Sequence, residues 1–314
     1  MRFFWELVLR NIENLISKLG KFILKNIEEA KRDDGDSENK FSTTTIDNYD
    51  FYEFNKRYVW RKNVFEPETT DEEIYSKTCM RTYKRAFKFL QLLCENSNIE
   101  GKNFIRTQPS GVKQFDFIAI AAKEVRNLFG ALNEEICGVT MFLLEFILEV
   151  TMIPVFENQK ALMNLSFFED VCALQNTFSK PDNVSMKGFD QKEHLIEEIY
   201  FKTIQIILSN FEGNDLLTFQ SIDAKLEPRF LDNILKRKMK DMGLRGKEDV
   251  IAYIDGLTSC VFDDKMMAIL NIITIYKKLN EKLGEDSRIY SIYVKTRDSD
   301  PAMYDYLEKC LLSI

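Results

Sequence analysis

The helical organisation of this chain centres on the stretch KRAFKFLQLLCENSNIEGKNFIRTQ, residues 84–108. Its apolar residues recur at helical spacing up to position 93, which predicts a helix with one buried face formed by Ala86, Phe89, Leu90 and Leu93. Polar residues at 95–98 then interrupt the pattern, and Phe104 and Ile105 anchor a second, short amphipathic piece. The sequence therefore predicts a docked helix whose last turn presents a carboxylate and amides to the next helix.

The same 3.6-residue periodicity continues on both sides of this stretch and predicts an all-α fold. The predicted helices are 1–32, one opened by a Thr70/Glu73 capping box, Phe117–Leu132, Asn133–Met152, one or two short helices within Gln159–Leu174, Asp190–Phe211, one from Pro228 to Gly243, Asp263–Leu283 and Ala302–Leu312. Pairs of amphipathic helices joined by short polar turns are typical of an armadillo-like α-solenoid. Because no strict repeat is visible, an irregular helical bundle is the alternative. The β-rich run YSIYV, residues 290–294, is predicted as a strand.

The chain divides into four parts by composition: 1–32, an amphipathic N-terminal helix; 33–69, an acidic and aromatic linker; 70–243, the main helical domain; and 244–314, the C-terminal helices. Residues 33–38, DDGDSE, are rich in carboxylates but lack the glycine and the final glutamate that an EF-hand loop needs, so they are predicted to be a solvated linker. The first helix could lie on a membrane surface, but packing against a neighbouring helix is the favoured interpretation.

Composition excludes several classes of function. The net charge of −7 and the lack of a basic stripe argue against nucleic acid as a partner. No segment reaches about 18 uncharged apolar residues, so no membrane span is expected. The single histidine, His194, removes most histidine-based schemes. No nucleophile elbow, P-loop, dinucleotide fingerprint or zinc spacing is visible, so the chain is not expected to be an enzyme.

The cysteines form no C-x-x-C pair and are predicted to be reduced core thiols at positions 79, 94, 137, 172, 260 and 310.

Glu145 and Glu149 lie one helical turn apart in an otherwise apolar helix. Because an ionised carboxylate is costly to bury without partners, each should be exposed, protonated, hydrogen-bonded or metal-bound. An exposed strip or a structural ion pair is the favoured interpretation, with Arg126, Lys84 and Arg85 as candidate partners.

Two segments resemble a known family. FLQLLCEN at 89–96, with Asn98, Asn103-Phe104, Arg106 and Gln108, resembles the FLQLLCEN-x-N…NF-x-R-x-Q signature of inositol trisphosphate receptors and ryanodine receptors. LEFILE at 144–149, with Pro154 and ENQ at 157–159, is similar to the LESLTE…GPC-x-ENQ segment of the same receptors, and LEPRFL at 226–231 is a weaker likeness. The likeness is good over roughly residues 84–175 and thinner to about residue 242.

The chain also departs from these receptors. Val150-Thr151-Met152 stands where the receptors carry Tyr-x-Gln, and the loop between the two anchors is shorter than in the animal receptors. The ligand-binding core, the six-helix pore region and the C-terminal tail have no counterpart in this sequence.

The resemblance implies that 70–243 is the helical domain these calcium-release channels carry before the pore, and that 244–314 leads toward a pore that is missing here. The chain would then be a piece of a larger channel or a truncated product, working at the cytosolic face of the endoplasmic reticulum or another calcium store. The implied partners are the remainder of a tetrameric channel or full-length channel subunits.

For calcium sensing, the resemblance assigns one carboxylate from each segment, here Glu95 and Glu149, and takes a third ligand from the linker after the pore. Two carboxylates give at most about four oxygens where Ca²⁺ prefers six to eight, so the chain would hold a weak half-site. For Asn96, Asn98, Asn103 and Arg106, capping and loop pinning are expected instead.

Three functional hypotheses follow. The first is a cytosolic regulatory module that couples ligand and Ca²⁺ signals to a channel pore. The second is a free-standing armadillo-like scaffold that binds other proteins along its concave face. The third is an orphan fragment that assembles with full-length channels and dampens them.

Overall fold

A computed structural model describes residues 10–18, 21, 71–96, 98–108, 114–129, 134–153, 155–178, 189–213, 215–257 and 262–311, and within these ranges the regular structure is helical throughout. A helix α1 spans 10–18. The others are α2 (Asp71–Cys94), α3 (Ile99–Arg106), α4 (Phe117–Phe129), α5 (Glu134–Thr151), α6 (Phe156–Met163), α7 (Phe167–Phe178), α8 (Phe189–Phe211), α9 (Leu216–Lys225), α10 (Phe230–Asp241), α11 (Lys247–Asp255), α12 (Asp264–Leu283), α13 (Arg288–Arg297) and α14 (Pro301–Cys310). The predicted all-α class is confirmed.

Helix length follows a repeating order of short, medium and long. The triplet α3, α4, α5 has 8, 13 and 18 residues, and the triplet α6, α7, α8 has 8, 12 and 23. A third triplet, α9, α10 and α12, has 10, 12 and 20 residues, with α11 inserted before its long helix. This order agrees with the predicted armadillo-like solenoid, whose repeat the sequence does not display.

The long helices stack on one another and form the interior of the solenoid. α5 packs between α2 and α8, and α8 packs against α12. Phe87 of α2 meets Phe146 of α5 with ring centroids 5.6 Å apart, and Lys84 lies over the ring of Phe142. Residues 84 and 87 of α2 contact residues 142 and 146 of α5 in the same order along both helices, so the two helices run parallel. The apolar character of α5 on nearly all sides is explained by its central place.

Local signals in the sequence set several helix ends. The side chains of Asp215, Asp263 and Ser287 accept hydrogen bonds from backbone amides in the first turns of α9, α12 and α13. Gly243 and Gly284 follow α10 and α12 with φ of 70° and 58°, a backbone conformation that glycine adopts without steric cost.

The predicted strand at 290–294 is wrong, because these residues form the middle of α13. Tyr293 is buried and stacks on Tyr276 of α12 with ring centroids 4.3 Å apart. Ile289 is buried one turn before it, so the segment has a helical apolar face that tertiary packing selects over its β propensity. Asp190, predicted to cap α8, lies inside that helix, and Pro228 lies in the turn before α10 rather than at its start.

Several predictions fall on residues outside the described ranges, namely most of the 1–32 helix and all of the 33–69 linker. The described part of the first helix packs into the core through Ile16. Among the described helices, none combines the length and the apolar character that a bilayer span needs. The thiols of Cys94 and Cys172 are free and buried, as predicted for reduced core cysteines.

Candidate functional site

The turn between α2 and α3 is built from the asparagines of the first signature segment. Asn96 has a φ of 58° just past the end of α2, in the left-handed region that asparagine tolerates better than most residues. Asn98 accepts a hydrogen bond from the Gly101 amide at 3.0 Å and donates one to the Leu93 carbonyl at 2.9 Å. One side chain therefore caps the start of α3 and the end of α2 together, which confirms the capping role predicted for this residue.

Gly101 is required by the close approach of α3 to the end of α2. A Cβ built at this position would lie 2.0 Å from the Leu93 carbonyl oxygen and 2.7 Å from the Asn98 amide nitrogen. A backbone oxygen cannot move aside as a flexible side chain can. Any residue with a Cβ would therefore push the two helices apart.

The amides of the second signature segment join neighbouring repeats. Asn158, fully buried, donates to the carbonyls of Lys102 at 3.0 Å and Val150 at 3.2 Å, and it accepts from the Arg106 guanidinium at 2.9 Å. The next residue, Gln159, is also fully buried. The two signature segments, more than 50 positions apart, thus meet in one hydrogen-bonded junction.

Gln159 extends this junction to α8, the long helix of the second repeat. Its amide donates to the Thr151 carbonyl at 3.1 Å and to the Ser209 carbonyl at 2.7 Å, and the hydroxyls of Thr151 and Ser209 lie 3.0 Å apart. The C-terminal ends of α5 and α8 are therefore tied to the start of α6. Buried amides with several partners fix a geometry strongly, because any rearrangement leaves polar groups unsatisfied.

Gln108 pins the chain between α3 and α4. Its side chain donates to the carbonyls of Phe104 at 2.6 Å and Phe115 at 3.0 Å and accepts from the Phe115 amide at 2.6 Å. Gln114 forms a second pair of hydrogen bonds with the Gln108 backbone, each 2.9 Å long. The last position of the first signature is thus structural.

Glu149 lies in this junction and is paired with a buried lysine. The Lys102 ammonium is 3.4 Å from a Glu149 carboxylate oxygen and donates a hydrogen bond to the Met152 carbonyl at 2.8 Å. The Lys102 side chain is fully buried, whereas that of Glu149 is 23% exposed. Lys102 therefore both neutralises Glu149 and caps the C-terminal end of α5.

Glu95 has a different surrounding at the end of α2. Its carboxylate is 3.5 Å from the Lys88 ammonium, and both side chains are partly exposed. Its neighbour Cys94 is buried, and burial raises the pKa of that thiol to about 12, with the charge of Lys102 lowering it and the charge of Glu149 raising it. The charges of Lys102 and Glu149 therefore both act on Cys94, the residue before Glu95. The thiol therefore stays protonated at neutral pH.

Two of the candidate ion-pair partners predicted for Glu145 and Glu149, Arg126 and Lys84, are wrong because each contacts another residue. Arg126 pairs with Asp170 at 2.9 Å, and Lys84 lies over the Phe142 ring. The partner of Glu149 is Lys102. The sequence shows Lys102 only as one of many lysines, because its burial depends on the approach of α3 to α5.

The fit of Ca²⁺ to this pair is partial. Glu95 and Glu149 carry the hard oxygen donors that Ca²⁺ prefers, but each is already paired with a lysine. Within the described residues, no group of three or more histidine, cysteine, aspartate or glutamate side chains is placed to hold a metal ion. Further oxygen ligands would have to come from water or from another segment.

The fold and the junction together define a class: an armadillo-like helical repeat protein whose neighbouring repeats are fastened by buried amides. Residues 77–175 match the family model described as RyR and IP3R Homology associated. This segment is therefore a RyR and IP3R homology associated domain, which confirms the resemblance carried by the two signature segments. The matched range contains α3 to α6, and with them the whole of the junction formed by Asn98, Lys102, Glu149 and Asn158. A comparison of the chain with curated protein sequences gave no match.

Proposed function

We propose that this chain is a cytosolic regulatory module of an intracellular calcium-release channel, which passes ligand and Ca²⁺ signals toward the pore. The observation that carries the proposal is the junction itself, in which the two signature segments of the matched domain meet around Glu149. The proposed partners are the remaining parts of a tetrameric channel or full-length channel subunits. The proposed location is the cytosolic face of the endoplasmic reticulum or another calcium store.

A module of this kind transmits a signal only if its repeats move as one body. The buried amides of Asn158 and Gln159 contribute to that stiffness, because they join two successive repeats, α3–α5 and α6–α8, through backbone carbonyls. A displacement of one of these repeats is then passed to the other instead of being absorbed by slipping between them. No catalytic step is part of the proposal, since the matched domain belongs to channel receptors.

Glu95 and Glu149 are the proposed contributors to calcium sensing. They would offer two carboxylates, and a third ligand would come from another segment of the channel. Bound Ca²⁺ would supply the double positive charge that neutralises this carboxylate pair. In the isolated chain, Glu149 is paired with Lys102, so a cation that binds Glu149 must compete with the lysine. The isolated chain should therefore bind Ca²⁺ only in about the millimolar range.

The test is single-channel open probability against cytosolic Ca²⁺ in a full-length channel that carries this segment. Glu95→Gln with Glu149→Gln keeps the shape of both side chains and removes both charges. We expect calcium activation to shift to higher concentration, while Glu145→Gln, one turn away on the same helix, leaves the curve in place. Superimposable curves for the double variant and the wild type would reduce the pair to structural residues.

A free-standing scaffold is the second candidate, and the apolar side chains exposed at the helix turns favour it. The two candidates differ in the response to Ca²⁺. A scaffold should bind its partner equally with and without Ca²⁺, and the Glu95/Glu149 double variant should leave that binding unchanged.

A further inference from the structure

Exposed apolar side chains gather at one edge of the solenoid. Within the described residues, nine large apolar side chains are exposed, and seven of them lie at the turns where a long helix ends and a short helix begins. We call this set the turn edge; its members are Leu92, Ile99, Met152, Ile153, Phe156, Leu216 and Leu217. Leu217, at 71%, is the most exposed of them.

The turn edge is formed by three turns, those between α2 and α3, between α5 and α6, and between α8 and α9. Hydrogen bonds across these turns show that they lie side by side. Lys102 of α3 reaches the Met152 carbonyl at the end of α5, and Gln159 of α6 reaches the Ser209 carbonyl near the end of α8. α9 packs on α6, and the Lys225 ammonium at its far end donates to the Met163 carbonyl at the far end of α6. α6 and α9 are therefore parallel, and their first turns face the same edge.

The backbone at the centre of the turn edge is strained. Ile153 has a φ of 52°, a region that β-branched residues adopt only at a cost of order 1–3 kcal/mol. The isoleucine side chain is nevertheless 42% exposed, so its apolar atoms gain little from burial within the chain. Strain retained to present an apolar side chain to solvent points to a contact outside the chain.

The turn edge is also acidic. Four exposed carboxylates lie at the starts of the short helices α3, α6 and α9 or in the turn after α8: Glu100, Glu157, Glu212 and Asp215. Among the described residues of these turns, the one exposed lysine is Lys160 of α6. Glu95 and Glu149 add no free charge, because each is paired with a lysine. An apolar row rimmed by an excess of carboxylates is complementary to a segment that carries lysine or arginine beside its apolar residues.

We propose that the turn edge is a docking surface for a basic amphipathic helix of a partner protein. Apolar side chains spaced at i, i+3, i+4 and i+7 would cover the exposed row, and flanking cations would meet the carboxylates. The excess of negative charge disfavours an anionic membrane and a second acidic copy of the same edge. The surface does not need Ca²⁺, so it is independent of the proposed calcium pair.

The experiment measures binding of a fluorescent helical peptide to the full chain, with EGTA present to remove Ca²⁺. The peptide consists of leucine and lysine, with leucine at positions i, i+3, i+4 and i+7. Fluorescence anisotropy should show binding that weakens as salt rises from about 0.05 to about 0.5 M, because screening shortens the reach of charge attraction. Leu217→Ser and Ile99→Ser should each weaken the Kd by about ten-fold or more, the scale of a central contact residue. Val294→Ser, an exposed apolar residue on α13, is the matched control and should bind as the wild type does.

Glu157→Gln with Glu212→Gln should weaken binding and flatten its salt dependence. The proposal is overturned if the peptide binds the Leu217→Ser and Val294→Ser variants equally, or if a peptide of leucine and glutamate binds as well as the basic one. It is also overturned if Leu217→Ser abolishes self-association in sedimentation, which would assign the edge to a second copy. Loss of flotation with zwitterionic vesicles in the same variant would assign it to a membrane.

Discussion

Replacing Lys102 by methionine removes the buried ammonium that joins α3 to the end of α5 while keeping a side chain of similar length. Glu149 then loses its counter-charge at 3.4 Å, and the Met152 carbonyl loses a donor at 2.8 Å. Breaking a fully buried ion pair costs about 3–5 kcal/mol. Because the Glu149 side chain is 23% exposed, water partly solvates its charge, so we expect a loss of about 2–3 kcal/mol.

Urea denaturation of four proteins measures this effect: the wild type, Lys102→Met, Glu149→Gln and the double variant. Each single variant leaves one charge in the junction without its partner, so the double variant should be more stable than the two losses added together predict. We expect a coupling free energy of about 1–2 kcal/mol. Lys88→Met is the matched control, because Lys88 and Glu95 are partly exposed and their pair is worth at most about 0.5 kcal/mol.

The same variant tests whether Lys102 competes with a cation at Glu149. Without the lysine, the chain should bind Ca²⁺ about ten-fold more tightly, which corresponds to about 1.4 kcal/mol. Isothermal titration of wild type and Lys102→Met gives the ratio directly. Equal stability of the two proteins, or a coupling near zero, would refute the argument that this buried pair fastens the junction.

Three other substitutions test separate parts of the structure. Asn158→Ala should cost about 2–4 kcal/mol in urea denaturation because several buried hydrogen bonds are lost at once, whereas the exposed neighbour in Glu157→Ala should change stability by less than about 0.5 kcal/mol. Gly101→Ala should cost more than about 2 kcal/mol by thermal denaturation, and Gly246→Ala, where a Cβ meets nothing closer than 3.8 Å, less than about 1 kcal/mol; equal losses would disprove the close-approach argument. Burial raises the pKa of the Glu124 carboxyl, so the folded state binds its proton more tightly than the unfolded state does. The carboxyl therefore lowers the stability of the fold once the pH rises above the ordinary pKa of a glutamate. Glu124→Gln should therefore raise the melting temperature at neutral pH, and this gain should vanish in acid; a gain that persists in acid would contradict the assignment.

The sequence alone determined the helical class and the family of the central segment. Apolar spacing predicted α4, α5 and α12 to within three residues at either end, because a helix that buries one face must repeat its apolar residues every three or four positions. The capping role of Asn98 was predictable for a local reason: its side chain bonds backbone groups only three and five residues away. Such local features require no knowledge of the rest of the chain.

Contacts between helices settle what the local sequence pattern leaves open. YSIYV has the composition of a strand but forms a helix, because Tyr293 stacks on Tyr276, a contact between two different helices. Lys102 looks like a surface residue in the sequence and is buried, because Glu149 and the Met152 carbonyl, about 50 positions away, meet its charge. The roles of lysines and carboxylates depend on partners that are distant in sequence, and only the stacking of the repeats brings those partners together.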